Sequence, residues 1–402
     1  LSTRFIRPVW WSMKANTQFS GVRRSRWPPL AQVGEPAACA GPGEAREYHY
    51  SWGRQNWFPN SAAEHRALRE GVGMYDMSSF GKLRVEGPEA EAFLNHICGN
   101  DMSVPPGRIV YTQFLNESGG IEADVTVTRL SGTTYLVVTP AATRPADQHW
   151  MERHVGSFRV TITDVTAAEG VLAVMGPKAR ELMARVSPDD FSNVAHPFGT
   201  AREIEIGLGL ARAHRVSYVG ELGWEIFVSA DMAAHVFETL ADAGEDFGLT
   251  LVGLHAMNSA RIEKAFRHFG HDITCEDHVL EAGLGFAAKT TKPAFIGRGA
   301  VLRKREEGLS RRLVQFRLTE PGAMLYHNEP ILRDGRIVGQ ITSGAYGHTL
   351  GGAIGLGYVP CAGESAEAVL ASDYEIDVAG RRVRAEASLR PMYDPDGLRP
   401  RG

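Results

Sequence analysis

The stretch Val85-Glu-Gly87-Pro88-Glu-Ala90-Glu-Ala-Phe93-Leu94 returns in outline as Val174-Met-Gly176-Pro177-Lys-Ala179-Arg-Glu-Leu182-Met183. Each copy reads as the end of a strand, a Gly-Pro turn and an amphipathic helix. Proline stands where the first turn of a helix tolerates it. Two copies imply two related α+β lobes; they are too few and too far apart for a solenoid.

The segments around these copies extend the pattern. Residues 82–85 alternate polar and apolar, as one strand. Between the copies, residues 111–115, 121–130, 134–139 and 158–164 read as strands. After the second copy come strands at 211–218 and 224–228, then helices at about 232–247 and 255–267. Upstream, Ser61-Ala-Ala-Glu64 has the spacing of a capping box, opening a helix that runs through His65 and Leu68 and closes at Gly71. From Arg311 onward the pattern is all-β, with short strands such as 312–318 and 336–343 between Gly- and Pro-rich turns. That tail reads as a small barrel or jelly roll. The expected fold is therefore α+β. Two lobes of antiparallel sheet with flanking helices occupy residues 48–302. A charge-rich linker at 303–310 leads to a β-barrel-like domain at 311–395.

Bulk properties bound the function. A chain of 402 residues exceeds one ordinary core and predicts two or three domains. A formal net charge of -4 gives no general attraction to nucleic acid or anionic membrane. No apolar run approaches the roughly 20 residues of a membrane-spanning helix. The cysteines Cys39, Cys98, Cys275 and Cys361 form no C-x-x-C pair, so they read as reduced thiols. That suits the cytoplasm, with the mitochondrial matrix as the alternative. The first 30 residues carry Arg4, Arg7, Lys14, Arg23, Arg24 and Arg26 and no acid, as a transit peptide would. Trp10, Trp11, Trp27, Pro28 and Pro29 spoil an amphipathic helix there. Leu1 in place of Met fits a truncated gene product, and residues 1–47 are expected to lie outside the fold.

Three stretches carry chemistry. In Leu115-Asn116-Glu-Ser-Gly119-Gly120-Ile121-Glu-Ala-Asp124-Val125-Thr126-Val127, the glycines turn one strand into the next. Ile121, Ala123, Val125 and Val127 then share one face, and Glu122, Asp124, Thr126 and Thr128 the other. An ordinary half-wet sheet has this alternation; so does a strand whose Asp124 and Thr126 line a polar pocket. In Tyr218-Val-Gly220-Glu221-Leu-Gly223-Trp224-Glu225-Ile226, Glu225 faces away from Trp224 and Ile226, which again suits a wet face or a pocket acid. In Arg261-Ile-Glu263-Lys264-Ala-Phe266-Arg-His268-Phe-Gly270-His271-Asp272-Ile273, Arg261 and Glu263 are expected to form an ion pair. His268 and His271 stand i, i+3, but with no third ligand in view no metal site is expected. The chain then reads Leu280-Glu281-Ala-Gly283-Leu-Gly285-Phe286.

These three stretches, in this order, resemble the folate-binding aminomethyltransferase (glycine-cleavage T) superfamily. So do Gly71-Val-Gly-Met-Tyr75-Asp76-Met-Ser78 and Ile341-Thr342-Ser343-Gly344, and the likeness covers residues 52–395. Asn56-Trp-Phe58, Arg261-Ile-Glu-Lys264-Ala-Phe266 and Ser388-Leu-Arg-Pro391-Met-Tyr393 are most similar to the C-terminal half of dimethylglycine and sarcosine dehydrogenases. Met257 stands where the glycine-cleavage enzymes carry an Arg, which favours that branch.

The resemblance implies roles. Asp124 matches the catalytic acid beside the folate nitrogens that receive the one-carbon unit, and Thr126 its neighbour. Tyr218 and Glu225 match residues that hold the pterin, Glu225 accepting from its N–H groups. Tyr111 and Phe286 match positions near the ring. Tetrahydrofolate is the implied cofactor and a methylated amine such as dimethylglycine or sarcosine the implied partner, with 5,10-methylenetetrahydrofolate as product. The dehydrogenases of this branch open with a flavin domain. No Gly-x-Gly-x-x-Gly fingerprint occurs here, since Gly207-Leu-Gly209-Leu-Ala-Arg212 fails at the third Gly. No flavin is therefore expected in this chain, and oxidation falls to a flavoprotein domain or subunit. Two alternatives stay open: a truncated folate unit without its own activity, and a folate-binding accessory protein. The iron–sulfur assembly relatives carry Lys-Gly-Cys where this chain has His268-Phe-Gly270-His271-Asp272, which argues against the accessory reading.

Overall fold

The computed structural model describes residues 51 and 53–402, so the expectation for residues 1–47 lies outside the described residues. Two sheets and a barrel organise them. In a six-stranded sheet the order is Thr250–Leu251, Gly73–Asp76, Glu169–Met175, Gly223–Ser229, Gly209–His214 and Ala201–Ile206. A five-stranded sheet runs Ile109–Leu115, Ile121–Arg129, Thr134–Thr139, Gly81–Glu86 and Thr161–Asp164. Every pairing is antiparallel except Gly73–Asp76 with Thr250–Leu251, which is parallel.

The two Gly-Pro copies occupy equivalent places. Gly87 and Gly176 have φ of 147° and 134°, outside the range of other residues. Their carbonyls accept from Ala90 N and Ala179 N, the first residues of helices Ala90–Ile97 and Ala179–Val186. Pro88 and Pro177 lie in the turn just ahead of each helix rather than inside its first turn.

Each sheet buries both faces differently. Trp224, Ile226 and Val228 pack with Leu172 and Val174 under helices Ala179–Val186 and Ala233–Gly244. Leu83, Val85, Ala123, Val125 and Val127 pack with Phe93 and Met151. The remaining faces meet each other: Tyr75, Val171, Ala173, Met175 and Phe227 of one sheet join Leu136 and Val138 of the other in one cluster. Polar side chains on these facing surfaces end up between the lobes.

The tail is a closed barrel, not a jelly roll. Its strands Arg311–Leu318, Gly352–Pro360, Arg336–Gly347, Pro330–Arg333, Tyr374–Val378 and Arg381–Ser388 pair in a ring. The expected linker is mostly helix, Arg298–Glu307, ending at Gly308 with φ 85°. Its charges form the solvent face of a helix that anchors Val301 in the core.

Two further expectations are corrected. Ser61 and Glu64 do not cap a helix; the helix starts earlier, at Phe58–Glu70, with Pro59 in its first turn. Both side chains are buried, and Glu64 accepts instead from Gly253 N at 3.0 Å. Arg261 and Glu263 do not pair, because residues two apart point to opposite sides of helix Leu254–Glu263. Arg261 reaches Asp272 at 2.6 Å, while Glu263 reaches Arg69 at 2.8 Å.

Candidate functional site

The Gly119-Gly120 turn and a bulge between Phe114 and Leu115 together set the register of the hairpin that bears the first acid. Gly119 takes φ 81°, and a Cβ on Gly120 would lie 2.0 Å from Cys275 O. The register sets Tyr111 opposite Thr126 and Gln113 opposite Asp124. All four therefore share the face turned away from the Val125 core. Gln113 Nε2 donates to Asp124 Oδ1 at 2.8 Å. Burial pushes the Asp124 carboxyl up to about 6, against the opposing pull of Gln113, the Tyr111 hydroxyl and the Arg267 guanidinium. Burial, and then the charge of Asp124, raise Tyr111 well above its usual range. Thr126 is half-buried beside Tyr111. The Tyr111 and Phe286 rings stack with centroids 6.1 Å apart, but Phe286 is 63% exposed and forms the rim.

The second acid comes from the other sheet. Glu225 and Tyr75 both sit in register with Ala173, so they project from the same face of neighbouring strands. Glu225 accepts no hydrogen bond among the described residues, and burial alone pushes its carboxyl up to about 7. The Tyr75 hydroxyl is buried with no hydrogen-bond partner. Burial, then the charges of Glu225 and Tyr218, raise it.

Tyr218 bridges the two sides. Its hydroxyl donates to Arg267 O at 3.2 Å and lies 3.4 Å from His268 Nδ1. Burial is the main cause that pushes it up to about 12, with Asp124 among the charges that act on it. The structure thus gathers Tyr111, Asp124, Thr126, Tyr218 and Glu225 between the lobes and leaves Phe286 at the edge. Gln113, Tyr75 and Arg267 join them; Tyr75 and Arg267 lie within the quoted stretches, but nothing there marks them as site residues. Of these, Gln113 was out of reach of sequence: the turn pairs Leu115 with Ile121, which would align 113 with 123, and a bulge between Phe114 and Leu115 shifts it opposite Asp124.

The site is braced from behind. Arg261 Nη1 meets Asp272 Oδ2, Thr342 Oγ1 donates to Asp272 Oδ1 at 2.5 Å, and Arg261 Nη2 donates to Ser343 Oγ at 2.8 Å. Burial alone would raise Asp272, but Arg261 and these hydrogen bonds outweigh it and hold the carboxyl low. His268 and His271 have ring centroids 5.1 Å apart, and no group of three or more potential metal ligands occurs among the described residues. Two surface clefts, of about 310 and 480 Å³, flank helix Arg298–Glu307 and contain none of the residues above.

Comparison with known proteins gives the chain a family. Residues 7–292 match the GCVT N-terminal domain, and residues 311–394 match the glycine cleavage T-protein C-terminal barrel domain. The chain is 42% identical to 4-methylaminobutanoate oxidase (formaldehyde-forming) of Paenarthrobacter nicotinovorans, over 96% of this chain and 48% of that protein. It is 31% identical to mitochondrial dimethylglycine dehydrogenase of Rattus norvegicus, over 90% of this chain and 42% of the relative. It thus spans about half or less of the length of these two. An aminomethyltransferase of Halothermothrix orenii is 35% identical over 78% of this chain and 87% of its own length. In fold, the chain is similar to glycine cleavage system aminomethyltransferase T from Bartonella henselae, with a TM-score of 0.75 at 24% identity over 87% of this chain and 94% of that one. The chain belongs to the glycine cleavage T-protein family, the aminomethyltransferase family of folate-dependent transfer enzymes.

Proposed function

We propose that this chain binds tetrahydrofolate between its lobes and transfers to it a one-carbon unit from a methylated amine such as dimethylglycine or sarcosine, forming 5,10-methylenetetrahydrofolate. The observation that carries the reading is the Glu225 carboxylate, half-buried between the lobes and without a hydrogen-bond donor among the described residues. A pterin edge is a row of N–H donors, and a desolvated carboxylate answers it with charge-assisted bonds. The unpaired Tyr75 hydroxyl beside it adds unused polar capacity to the same region. These residues fit the ligand.

When bound, tetrahydrofolate supplies the nitrogen nucleophile that accepts the methylene carbon. Glu225 and Tyr218 hold the pterin and fix its face. Tyr111 and Phe286 flank the ring, and Thr126 lines the floor beside Tyr111. Asp124, opposite Glu225, stabilises positive charge at the attacking nitrogen and accepts its proton. A carboxyl pushed up to about 6 is ionised at neutral pH yet basic enough for that task. The electrophilic methylene comes from a flavoprotein dehydrogenase domain or subunit. The twofold length of the oxidase and dehydrogenase relatives supports such a partner. Cys98, Cys275 and Cys361 are free thiols, in keeping with a cytoplasmic or mitochondrial-matrix setting.

The test supplies dimethylglycine together with a dehydrogenase partner and follows methylenetetrahydrofolate formation. Wild type should turn over, and Asp124→Asn should retain folate affinity but lose about 10²–10⁴-fold in kcat. Normal turnover by Asp124→Asn would remove Asp124 from the mechanism. No turnover by wild type with any methylated amine would remove the transferase reading.

A further inference from the structure

Gln113 is only 1% exposed, and the hairpin register fixes it opposite Asp124. Its Nε2 spends one hydrogen bond on Asp124 Oδ1 at 2.8 Å. Its Oε1 is buried with no partner among the described residues. An unpaired buried amide oxygen is costly, and an apolar side chain of the same size would avoid that cost. The core gains nothing from this amide, so its benefit must lie at Asp124.

An amide carries donors and an acceptor on one pivot, and half a turn about its last bond exchanges them. A carboxylate only accepts and therefore takes Nε2. A protonated carboxyl has an O–H to donate and takes Oε1. We infer that Gln113 is a positioning residue that holds Asp124 in both of its protonation states, giving Nε2 to the carboxylate and turning Oε1 toward the carboxylic acid. Asp124 then keeps a partner in the same place before and after it accepts a proton. This deepens the reading of Asp124 above, and its catalytic consequence rests on that reading.

The other groups around Asp124 do not replace this one. The Tyr111 hydroxyl reaches it from the same strand as Gln113, and Arg267 acts from the loop after helix Leu254–Glu263. Tyr218 faces it from the loop before strand Gly223–Ser229. Asp147, on helix Arg144–Arg153, and Glu122, on the strand of Asp124 itself, add negative charge nearby. After burial, the Gln113 contact is the largest influence on the Asp124 carboxyl, and it favours the charged form.

The inference is tested without folate by carbon-13 NMR of protein labelled at the aspartate side-chain carboxyl. The Asp124 signal is identified by its loss in Asp124→Asn. Gln113→Leu removes a bond from both forms of Asp124, but the charge-assisted bond to the carboxylate is the stronger, so the Asp124 midpoint should rise by about one pH unit, a tenfold gain in proton affinity. In the transfer assay the rising limb of kcat against pH should move by the same amount, with KM for tetrahydrofolate little changed. A purely structural role would lower the plateau and leave the midpoint in place. An unmoved midpoint in folded Gln113→Leu overturns the proposal. A wild-type readout guards against a variant that fails to fold. With nitrogen-15 glutamine labelling, one side-chain amide must shift with the Asp124 midpoint, and that shift must vanish in Asp124→Asn. Its absence also overturns the proposal. A moved midpoint without transfer in any protein would keep the Gln113–Asp124 pair and sink the transferase reading instead.

Discussion

Replacing Glu225 by Gln keeps its shape and one acceptor oxygen and removes its charge, so it isolates what the charge does. Burial pushes the carboxyl up to about 7 in the ligand-free protein. Pterin donors engage the ionised form, so at acidic pH binding must first remove a proton. Wild-type affinity should then fall by about 30-fold between about pH 8 and pH 5.5, approaching tenfold per unit below the midpoint. At about pH 8 the variant loses a charge-assisted, desolvated interaction of about 2–4 kcal/mol, or roughly 30- to 1000-fold in Kd. Near pH 5.5 wild type has surrendered much of that advantage, and the two curves converge. Titration of the folate itself is common to both proteins and cancels in their ratio. Asp124, with its lower midpoint, contributes to both curves alike. Anaerobic calorimetry in buffers of different ionisation enthalpy reads both affinity and protons. Wild type should release close to one more proton per folate than Glu225→Gln at about pH 6. Stability without ligand should run the opposite way. A carboxyl whose folded pKa lies above its unfolded one destabilises the protein once both states are ionised. Above about pH 7, Glu225→Gln should therefore exceed wild type by up to about 3 kcal/mol, a gain that fades as pH falls toward about 4.3. Equal affinities, or a ratio that does not change with pH, would refute the placement of Glu225 against the pterin.

Gly87→Ala and Gly176→Ala should each lower stability by about 2–5 kcal/mol, from left-handed strain plus a forced contact. A Cβ there would meet Arg159 O at 2.2 Å and Gly71 O at 2.4 Å. Denaturant midpoints that fall for one variant and hold for the other would refute the equivalence of the two turns. Arg261→Leu leaves the Asp272 carboxylate buried and facing only neutral donors, at a cost of about 3–5 kcal/mol. Adding Asp272→Leu should recover part of the loss, and strict additivity in the double-mutant cycle would contradict a coupled pair.

The parts of the fold written in local alternation were legible. Residues 121–129 carry a period-2 pattern strong enough to place Asp124 and Thr126 on one face, and the doubled Gly-Pro motif announced two lobes. The parts decided by tertiary contact were not. The first helix begins ahead of its apparent capping box because Phe58 packs edge-on against Tyr346 of the barrel, centroids 5.0 Å apart. Strand Gly73–Asp76 hid inside a Gly-rich run, because its length is set by partners on both sides rather than by its own pattern. Sequence spacing points Arg261 to the wrong acid for a similar reason: its partner lies beyond the helix end, at Asp272. Within the site, Asp124, Tyr218 and Glu225 stood out as acids and aromatics beside glycine turns. Gln113 and Tyr75 carry no such mark, and only the register brings them in.

The buried acids of this protein sort by what faces them, and that sorting separates brace from site. Asp272 meets the guanidinium of Arg261, and Glu263 meets Arg69 and His65. Burial would raise both, yet these partners hold Asp272 low and bring Glu263 down to about 2. Glu263 also accepts from Thr349 N at 2.8 Å, so its charge fastens the barrel to the lobes. Such acids are ionised at any working pH and can only hold. Asp124 and Glu225 lack a contacting cation and are pushed up to about 6 and about 7, where a proton can come and go. A raised value alone is not enough. Asp147 is also pushed up to about 6, but the hydroxyls of Thr139 and Thr143 bind it, so its acceptor capacity is already in use. What sets Glu225 apart is the combination of desolvation with an empty donor list. A core cannot profit from an acid in that condition; a ligand with N–H groups can. The neighbouring case of Asp124 differs by its partners, the Gln113 amide first and then the Tyr111 hydroxyl and the Arg267 charge, which work against burial and favour the charged carboxylate. One sheet thus carries a carboxyl without donors among the described residues and the other a carboxyl held by an amide, and Tyr218 lies within electrostatic reach both of Asp124 and of the Tyr75 that neighbours Glu225.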